Sequence, residues 1–421
     1  MNVLFTMTGS WGTGSGTVVE AVVDELVARG HRVCVLYPRT AAAPETGFEH
    51  APEARHEVWP FPLLKRGVEL YTYPLMIPDP NPSNFDGAWT FRDLTQDQID
   101  LYIESFSERL MEVVRGFEPD VIECQHIWLM PYAVAELGLP FFVTAHHSDQ
   151  MGFEFDKRIR PYATRAAEAA ETVFAITEAN REEIVRHYGI PEEKVVCLGN
   201  GYDKEVFTPV EVDRKALLER FGLEIPPGCP LVTFAGKLSK TKGVDTLLLA
   251  NRLLQEAREE AGEPPVHLVL FGTGKLEAVL DPEDEPLYSM AHVHLLGHQP
   301  YEVVRDFHNV ARFSVMPSRT EGFGLAALEA MGCGLPMVVT EIGAADTYAV
   351  GEAVPPESPA LLAEAMLKLL RMPDDAYRQL RERALAKAQE FSWATITEKR
   401  LEHYAEAPPV MERVRARSQQ A

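Results

Sequence analysis

The chain carries the sequence PSRTEGFGLAALEAMGCGLP from Pro317 to Pro336. The apolar run before it predicts a buried strand, its glycines predict a tight turn, and its second half predicts a short helix opening near Phe323. The first amides of such a helix are unpaired and can bind phosphate oxygens. Glu321 and Glu329 would lie at most about 12 Å apart along a helix, which suits two carboxylates binding opposite ends of one elongated ligand. Two solvated glutamates are the alternative, and they leave the surrounding glycines unexplained.

The same alternation of apolar strand and amphipathic helix continues on both sides of this stretch. Strands are predicted at Val3–Met7, His31–Tyr37, Val121–Cys124, Phe141–Thr144, Val173–Thr177, Val195–Leu198, Leu231–Ala235, Val266–Phe271, His292–Leu296, Phe313–Met316 and Met337–Thr340. Continuous apolar strands separated by helices are typical of parallel sheets covered on both faces. We therefore expect an α/β fold with two Rossmann-like domains, residues 1–205 and 206–390.

Residues 391–421 are predicted to contain a final helix, Trp393–Tyr404, followed by a polar, basic tail from Arg413 to Ala421 that frays. Residues 59–98 interrupt the alternation with seven aromatic residues and six prolines, so we expect a long ordered loop or lid there. Its aromatic side chains, Trp89 among them, would either form a sugar-stacking wall or pack over the core of the first domain.

The composition excludes several classes of partner. The 421 residues include 40 Lys and Arg against 63 Asp and Glu, a net charge of −23. Such acidity argues against nucleic acid and against stable docking on an anionic membrane. No apolar run is long enough to span a bilayer, and no leader pattern opens the chain. Five scattered cysteines are expected to be reduced core residues, which favours a cytoplasmic location without structural zinc.

Three further segments carry chemistry at the ends of predicted strands. The glycine-rich turn from Gly9 to Gly16 can bring the backbone close to a ligand, or can be a turn with no ligand. The strand after it ends without an acidic residue, which disfavours a dinucleotide site. Lys237 and Lys242 follow another strand and can both reach one diphosphate, or can form a solvated basic loop.

The third segment, FVTAHHSD, ends at Asp149 and places His146 and His147 after a strand. Ligands of open α/β sheets bind at this edge, although a structural histidine is the alternative. A basic cluster follows at Lys157, Arg158, Arg160 and Arg165. It is expected either to bind a phosphate or carboxylate of a small acceptor or to be a solvated helix face.

Together these segments resemble the retaining glycosyltransferases of family 4, which have the GT-B fold. The resemblance is most specific at Glu321–Glu329, the family's E-x7-E signature, and at Leu198–Phe207, which looks like its N-G-x-D-x3-F segment. It implies two α/β domains that face each other across a cleft. It also implies that the second domain holds the nucleotide, that the first mainly holds the acceptor, and that the last helix crosses back to the first domain.

The resemblance assigns roles residue by residue. Catalytic roles fall on His146, Lys242 and Glu321, with His146 matching the histidine of T-x-H-G-x-D. Donor-binding roles fall on Gly14, Lys237, Lys242, Gly297, Glu321, Gly322, Phe323, Gly324, Leu325 and Glu329. Within this set Glu329 would bind the ribose, Glu321 the sugar hydroxyls, and the Phe323–Leu325 backbone the diphosphate. Lys237 stands where the family usually has arginine, and His147 replaces a usual glycine.

The sequence therefore predicts a metal-independent, retaining transfer of a hexose from a nucleotide sugar, UDP-sugar favoured, to a small soluble acceptor. Trp89, Lys157 and Arg158 are candidate acceptor contacts. No cofactor is expected, and the acidic run at residues 281–285 is interpreted as a solvated loop. A GT-B-shaped sugar-nucleotide epimerase and a non-catalytic nucleotide-sugar-binding subunit remain alternatives. A glycoside phosphorylase is a further alternative, and nothing in this sequence marks the pyridoxal-binding lysine that it would need.

Overall fold

The computed structural model describes residues 1–9, 14–40, 53–77, 89–280, 287–342 and 348–418. The chain forms two compact units, one of Met1–Asn200 with Trp393–Ala421 and the other of Gly201–Ser392. The sequence predicted boundaries after residues 205 and 390. Each unit is an α/β layer structure with a parallel sheet, which confirms the predicted fold class.

The first unit is built on a seven-stranded sheet of order β3-β2-β1-β6-β7-β8-β9. Its chain includes β1 Asn2–Thr6, β2 Arg32–Thr40, β3 Arg55–Phe61, the antiparallel hairpin β4 Leu63–Lys65 and β5 Val68–Leu70, β6 Val121–Gln125, β7 Phe142–Thr144, β8 Thr172–Ala175 and β9 Val195–Cys197. The central strands are apolar on both faces because helices cover both sides.

The helices of the first unit are α1 Gly14–Ala28, α2 Gln96–Phe117, α3 Leu129–Glu136, α4 Ser148–Phe155, α5 Arg160–Ala169 and α6 Glu178–Tyr188. A capping box starts α2, where the Thr95 hydroxyl accepts from the Gln98 amide and the Gln98 side chain accepts from the Thr95 amide. Glycine in the left-handed conformation ends α6 at Gly189.

The second unit is built on a six-stranded parallel sheet of order β12-β11-β10-β13-β14-β15. Its strands are β10 Leu231–Ala235, β11 His267–Phe271, β12 Val293–Gly297, β13 Phe313–Met316, β14 Met337–Thr340 and β15 Gly351–Val354. Its helices are α7 Arg214–Arg220, α8 Val244–Glu260, α9 Tyr301–Val310, α10 Leu325–Gly332, α11 Pro359–Leu370 and α12 Asp374–Gln389. Every functional motif predicted in this half lies where a strand ends.

The insert at residues 59–98 differs in part from the predicted loop. Its start belongs to the edge strand β3, which the sequence analysis missed because Pro60 and Pro62 disfavour a strand; proline is tolerated at a sheet edge. Trp59, Phe61, Tyr73 and Phe91 are buried in the core of the first unit. Packing over that core is therefore the role of these four aromatics, whereas Phe85 lies outside the described residues.

The C-terminal segment returns to the first unit as two helices, α13 Trp393–Ala405 and α14 Val410–Ser418. The prediction that the tail frays from Arg413 is wrong as far as residue 418. Val410 and Val414 lie one turn apart on α14, and both are buried in the core of the first unit. This apolar pair anchors a helix whose other residues are mostly polar.

Candidate active site

The turn between β13 and α10 has a backbone that only glycine fits. Gly324 caps α10 in the left-handed conformation with φ of 87°. A Cβ atom there would lie 3.0 Å from Met316 Cε and 3.1 Å from the Tyr348 hydroxyl. The helix begins at Leu325, two residues later than predicted, and its first amides therefore follow the glycine turn.

A tyrosine that the sequence analysis did not single out supports this turn. The Tyr348 hydroxyl donates to the carbonyl oxygens of Phe323 at 2.9 Å and Gly324 at 2.6 Å. Its ring stacks on Phe323 with centroids 5.2 Å apart. Burial raises the pKa of Tyr348 well above its usual range, so the hydroxyl remains a donor. Nothing in the local sequence pattern connects Tyr348 to a motif more than twenty residues earlier.

Glu321 and Lys242 are in direct contact. Glu321 Oε1 accepts from Lys242 Nζ at 2.6 Å and from Ser318 Oγ at 2.7 Å, and the Glu321 side chain is 9% exposed. The contact depends on Gly243, which has φ of 66° and whose added Cβ would lie 1.9 Å from the Pro317 carbonyl oxygen. Glycine at this position lets the loop after β10 reach the loop after β13.

Glu329 has a different environment from Glu321. It lies half-buried on α10, and no described residue is hydrogen-bonded or ion-paired to its carboxylate. Burial alone raises the pKa of Glu329 to about 7. A partly desolvated carboxylate without a partner is a strong acceptor for hydroxyl donors of a ligand.

The carboxyl ends of three neighbouring strands are joined by backbone contacts. The Gly236 amide donates to the Phe271 carbonyl oxygen at 3.0 Å, and the Gly272 amide donates to the Gly297 carbonyl oxygen at 2.9 Å. A Cβ at Gly272 would lie 1.9 Å from the Gly236 carbonyl oxygen. These contacts place Gly297 and the exposed Lys237 at the same sheet edge. The glycines of the FGTG stretch at residues 271–274 follow a predicted strand, but the sequence analysis did not identify them as part of the site.

In the first unit, His146 follows β7 and is held at two points. Its Nε2 atom lies 2.7 Å from Gln125 Oε1, and its amide donates to Asp149 Oδ1 at 3.0 Å. Burial, followed by the neighbouring His126 and Arg400 side chains, holds the pKa of His146 well below its usual value. His146 is therefore a neutral imidazole at pH 7.

The neighbouring histidine has another task. His147 has a positive φ of 72°, a value that favours glycine and explains why glycine is usual at this position. Its Nδ1 atom lies 3.1 Å from Glu183 Oε2, and this hydrogen bond raises the pKa of His147. Of the adjacent pair, His146 contacts the end of β6, whereas His147 contacts α6.

A third histidine was missed by the sequence analysis. His126 follows β6 with φ of 69°, and its Nδ1 atom is hydrogen-bonded to Thr8 Oγ1 at 2.6 Å. Its ring centroid lies 4.8 Å from that of His146. Burial lowers the pKa of His126. The available signal was the same one that drew attention to His146, a polar residue directly after a buried strand.

The remaining candidates of the first unit are placed as follows. Gly14 is the first residue of α1, and residues 10–13 of the glycine-rich turn lie outside the described residues. Trp89 is half-buried, donates from Nε1 to the Thr72 carbonyl at 3.0 Å and packs on Tyr71 with ring centroids 4.2 Å apart. Lys157 is exposed.

Arg158 is engaged by the protein itself. Its guanidinium pairs with Asp156 at 2.8 Å and donates to the carbonyl oxygens of Leu94 at 2.8 Å and Phe91 at 2.9 Å. These bonds tie the segment after α4 to the segment before α2. Of the two cations predicted for an acceptor, Lys157 therefore keeps the freer side chain.

The described part of the chain has neither a membrane-spanning helix nor a cluster of metal ligands. No helix in it is both long and apolar enough to cross a membrane. No group of three or more histidine, cysteine, aspartate or glutamate side chains in it is arranged to hold a metal ion. The acidic run at residues 281–285 lies outside the described residues.

Two α/β units, each with a parallel sheet and with these strand-end motifs, are typical of the GT-B class of protein. The model for Glycosyltransferase Family 4 matches residues 12–206, and the model for Glycosyl transferases group 1 matches residues 217–387. The two matches together cover most of both units, and the chain belongs to the family 4 glycosyltransferases of GT-B fold, as the sequence motifs predicted.

Individual relatives agree with this family. The chain is 33% identical over 252 residues to the D-inositol 3-phosphate glycosyltransferase of Xylanimonas cellulosilytica, a match that covers 57% of this chain and 58% of the relative. The chain thus spans well under two thirds of that relative's length.

Solved structures show the same fold at low sequence identity. Sucrose-phosphate synthase from Thermosynechococcus elongatus has a TM-score of 0.70 and 19% identity, with 96% of this chain and 98% of that chain covered. Anabaena HepE in complex with UDP and glucose has a TM-score of 0.69 and 18% identity, with 96% and 99% covered.

Proposed function

We propose that this protein is a metal-independent, retaining glycosyltransferase that transfers a hexose from a UDP-sugar to a small soluble acceptor. The observation that carries the proposal is the pair of unlike carboxylates at the turn after β13. Glu321 is held by Lys242 and Ser318, while Glu329 is partly desolvated and has no described partner. A solved structure of the same fold contains UDP and glucose, which supports a nucleotide-sugar donor.

The donor is proposed to exchange the internal contacts of this site for its own. Lys242 would leave Glu321 for the diphosphate, and the freed Glu321 carboxylate would accept from sugar hydroxyls. Lys237 and the amides from Phe323 to Leu325 would supply further positive charge where the leaving diphosphate gains negative charge. Glu329 would accept from the ribose hydroxyls, and Gly297 would lie beside the base. These groups are proposed to take the place that a metal ion has in other transferases.

His146 is proposed to act in turnover rather than in holding the nucleotide. A neutral imidazole can exchange hydrogen bonds with a sugar hydroxyl without adding a charge near the anomeric centre. We expect His146→Ala to lower kcat more than it weakens donor binding. Near-wild-type turnover in that variant would remove His146 from the mechanism.

The acceptor is proposed to be a small polyol with a phosphate or carboxylate group. The relatives named D-inositol 3-phosphate glycosyltransferases support this class, as does the exposed Lys157. Phosphorylated and unphosphorylated inositol would be compared as acceptors. Nuclear magnetic resonance of the product would give its anomeric configuration, and inversion would contradict the retaining assignment.

The first experiment is a thermal-shift panel of UDP-, GDP- and ADP-sugars with EDTA present. Ligand at 100 times its Kd should add about 2.7 kcal/mol of stability. The expected result is a shift with UDP-sugars only, reduced to about half or less in Glu329→Gln and kept in full in Glu302→Gln, at the exposed first turn of α9. No shift with any donor would contradict the proposal. Conversion of the donor to an epimer without acceptor would indicate the epimerase, and binding without turnover would indicate the non-catalytic subunit.

A further inference from the structure

A buried chain of polar side chains connects the helix α13 to His146. At its centre is Glu123 on β6, which is fully buried. Its carboxylate accepts from Thr144 Oγ1 at 2.7 Å, from Gln125 Nε2 at 2.9 Å, from Arg400 Nε at 3.2 Å and from the Tyr404 hydroxyl. All of these residues belong to the first unit.

The direction of each hydrogen bond in this chain is fixed by chemistry. A carboxylate only accepts, so the amide of Gln125 must turn its NH2 group towards Glu123. The Gln125 carbonyl oxygen then faces His146 Nε2 at 2.7 Å, and because that oxygen also only accepts, His146 Nε2 must carry a proton. In a neutral imidazole the other nitrogen, Nδ1, is then an acceptor.

We infer that Gln125 is a positioning residue that holds His146 in the tautomer with the proton on Nε2, and that Glu123, clamped by α13, fixes the orientation of Gln125. No described residue is hydrogen-bonded to Nδ1 of His146. In terms of the proposed function, on which this part rests, Nδ1 accepts a hydrogen bond from a substrate hydroxyl. An imidazole without Gln125 would divide its population between two tautomers, and only one of them can accept at Nδ1.

The charged and titratable groups around His146 are consistent with a neutral ring. His126 at the end of β6 and Arg400 on α13 disfavour the imidazolium, while Asp149 on α4 accepts from the backbone amide and Glu123 is screened behind Gln125. The geometry thus selects the tautomer, and the surroundings keep the ring uncharged.

The test is nitrogen-15 nuclear magnetic resonance of the histidine side chains in the full-length protein without substrate. The signal of His146 is identified by its loss in His146→Asn. We expect wild-type His146 to be protonated at Nε2 only, and Gln125→Leu to show a mixture of tautomers. A wild-type proton on Nδ1, or a single Nε2-protonated form that persists in Gln125→Leu, overturns the inference. Because no substrate is needed, this result is independent of whether the proposed transferase activity exists.

Kinetics then separate positioning from stability. We expect Gln125→Leu to lower kcat by roughly 10- to 100-fold, the range known for residues that orient metal-binding histidines, with donor KM changed by less than about threefold. Gln125→Glu should raise the pKa of His146, because a carboxylate then faces Nε2, and should move the acid limb of the kcat profile towards higher pH.

Gln150→Leu is the matched control. Gln150 is also fully buried and makes two side-chain hydrogen bonds, to Tyr188 and Asn180, none of them with His146. We expect it to cost similar stability with the tautomer and the pH profile unchanged. A loss of kcat in Gln125→Leu no greater than in Gln150→Leu, or an unmoved acid limb in Gln125→Glu, would overturn the role of Gln125 in turnover.

Discussion

Glu329 shows how partial burial without a hydrogen-bond partner changes the pKa of a carboxyl group. Glu321, eight positions earlier, is stabilised by an ammonium and a hydroxyl, whereas Glu329 has lost water without gaining a described partner. Its pKa of about 7 means that protonated and ionised forms coexist near neutral pH. A ligand that donates hydroxyl protons to it selects the ionised form.

Donor binding should therefore depend on pH through Glu329. Below about pH 7 the protonated form must lose its proton first, so donor affinity should fall by up to about tenfold per pH unit, and above that pH it should level off. A UDP-sugar is a suitable ligand because its diphosphate does not titrate in this range. Calorimetry in buffers of different ionisation enthalpy should detect proton release on binding at pH 7.

Replacement of Glu329 by glutamine provides the control for this effect. Glu329→Gln should weaken binding by about tenfold or more, since hydrogen bonds to a charged acceptor are lost, and should remove the pH dependence. A Glu329→Gln protein that keeps the wild-type pH profile would assign the titration to another group.

Gly243 is needed for steric reasons that can be separated from its backbone conformation. Gly243 and Gly262 both have φ of 66°, but a Cβ at Gly262 meets no atom within 4 Å, whereas at Gly243 it meets the Pro317 carbonyl. Gly262→Ala should cost about 1 kcal/mol for the left-handed backbone. Gly243→Ala should cost about 1–3 kcal/mol more and weaken donor binding, because the loop that carries Lys242 is pushed away from the turn after β13.

Chemical denaturation and donor titration of both variants would measure this difference. Equal stability losses would mean that the loops after β10 and β13 separate without cost.

The residues of the candidate site differ in how far the sequence could predict them. Glu321, Lys242 and His146 lie in local motifs, and local patterns place them at strand ends. Tyr348 and His126 act through contacts with distant parts of the chain, with Gly324 and with Thr8, and pairings of this kind are set by tertiary packing. No spacing rule in the sequence encodes them.

At the scale of elements, α13 is attached to the first sheet by charge rather than by apolar contact alone. Arg400 and Glu123 are 2% and 0% exposed, so neither charge is solvated. Breaking a buried pair by removing one partner leaves an uncompensated charge and typically costs about 3–5 kcal/mol.

Arg400→Met should therefore destabilise the protein by about 3–5 kcal/mol, and adding Glu123→Gln should recover part of that loss. Arg252→Met, which removes an exposed pair with Glu256 on α8, should cost less than about 1 kcal/mol. Urea unfolding of Arg400→Met, Glu123→Gln and the double variant measures the coupling between the two charges. Additive losses in the double variant would show that the two charges do not depend on each other.

The elements that the sequence predicted well are the central ones. The strands β10, β13 and β14 have the predicted bounds because continuous apolar runs mark buried strands. The edge strands β3 and β15 were missed, since edge strands tolerate proline and polar residues. The helix α14 was missed because its anchoring apolar pair is short and lies in a charged tail.

At the scale of the whole molecule, both units bury neutral histidines. Among the histidines that the structure describes, six have lowered pKa values, namely His31, His126, His146, His267, His294 and His308, with His267 at about 4 and His308 at about 3. Within the described residues, the raised pKa values of His147 and Glu329 act in the opposite direction in this pH range. Between pH 6.5 and about 4 the unfolded chain thus binds more protons than the folded one.

The free energy of unfolding should consequently fall as the pH is lowered from 6.5. His267 and His308, which are buried, should each contribute up to about 1.4 kcal/mol per pH unit in this range. His308→Asn should reduce the slope by about one bound proton, because the buried His308 would no longer take up a proton on unfolding. Guanidinium unfolding at several pH values measures the slope, and a stability that rises on acidification would contradict the prediction.

The pairing of Glu123 with Arg400 also has a consequence for folding during synthesis. The two residues are 277 positions apart, and the entire second unit is made between them. At ribosomal rates of about 5–20 residues per second, Arg400 is synthesised roughly 15–55 s after Glu123. Until Arg400 is present, the first sheet contains a buried carboxylate without its cationic partner. Chains truncated before residue 400 should therefore be bound by chaperones or degraded by proteases, even though they contain all of the site motifs.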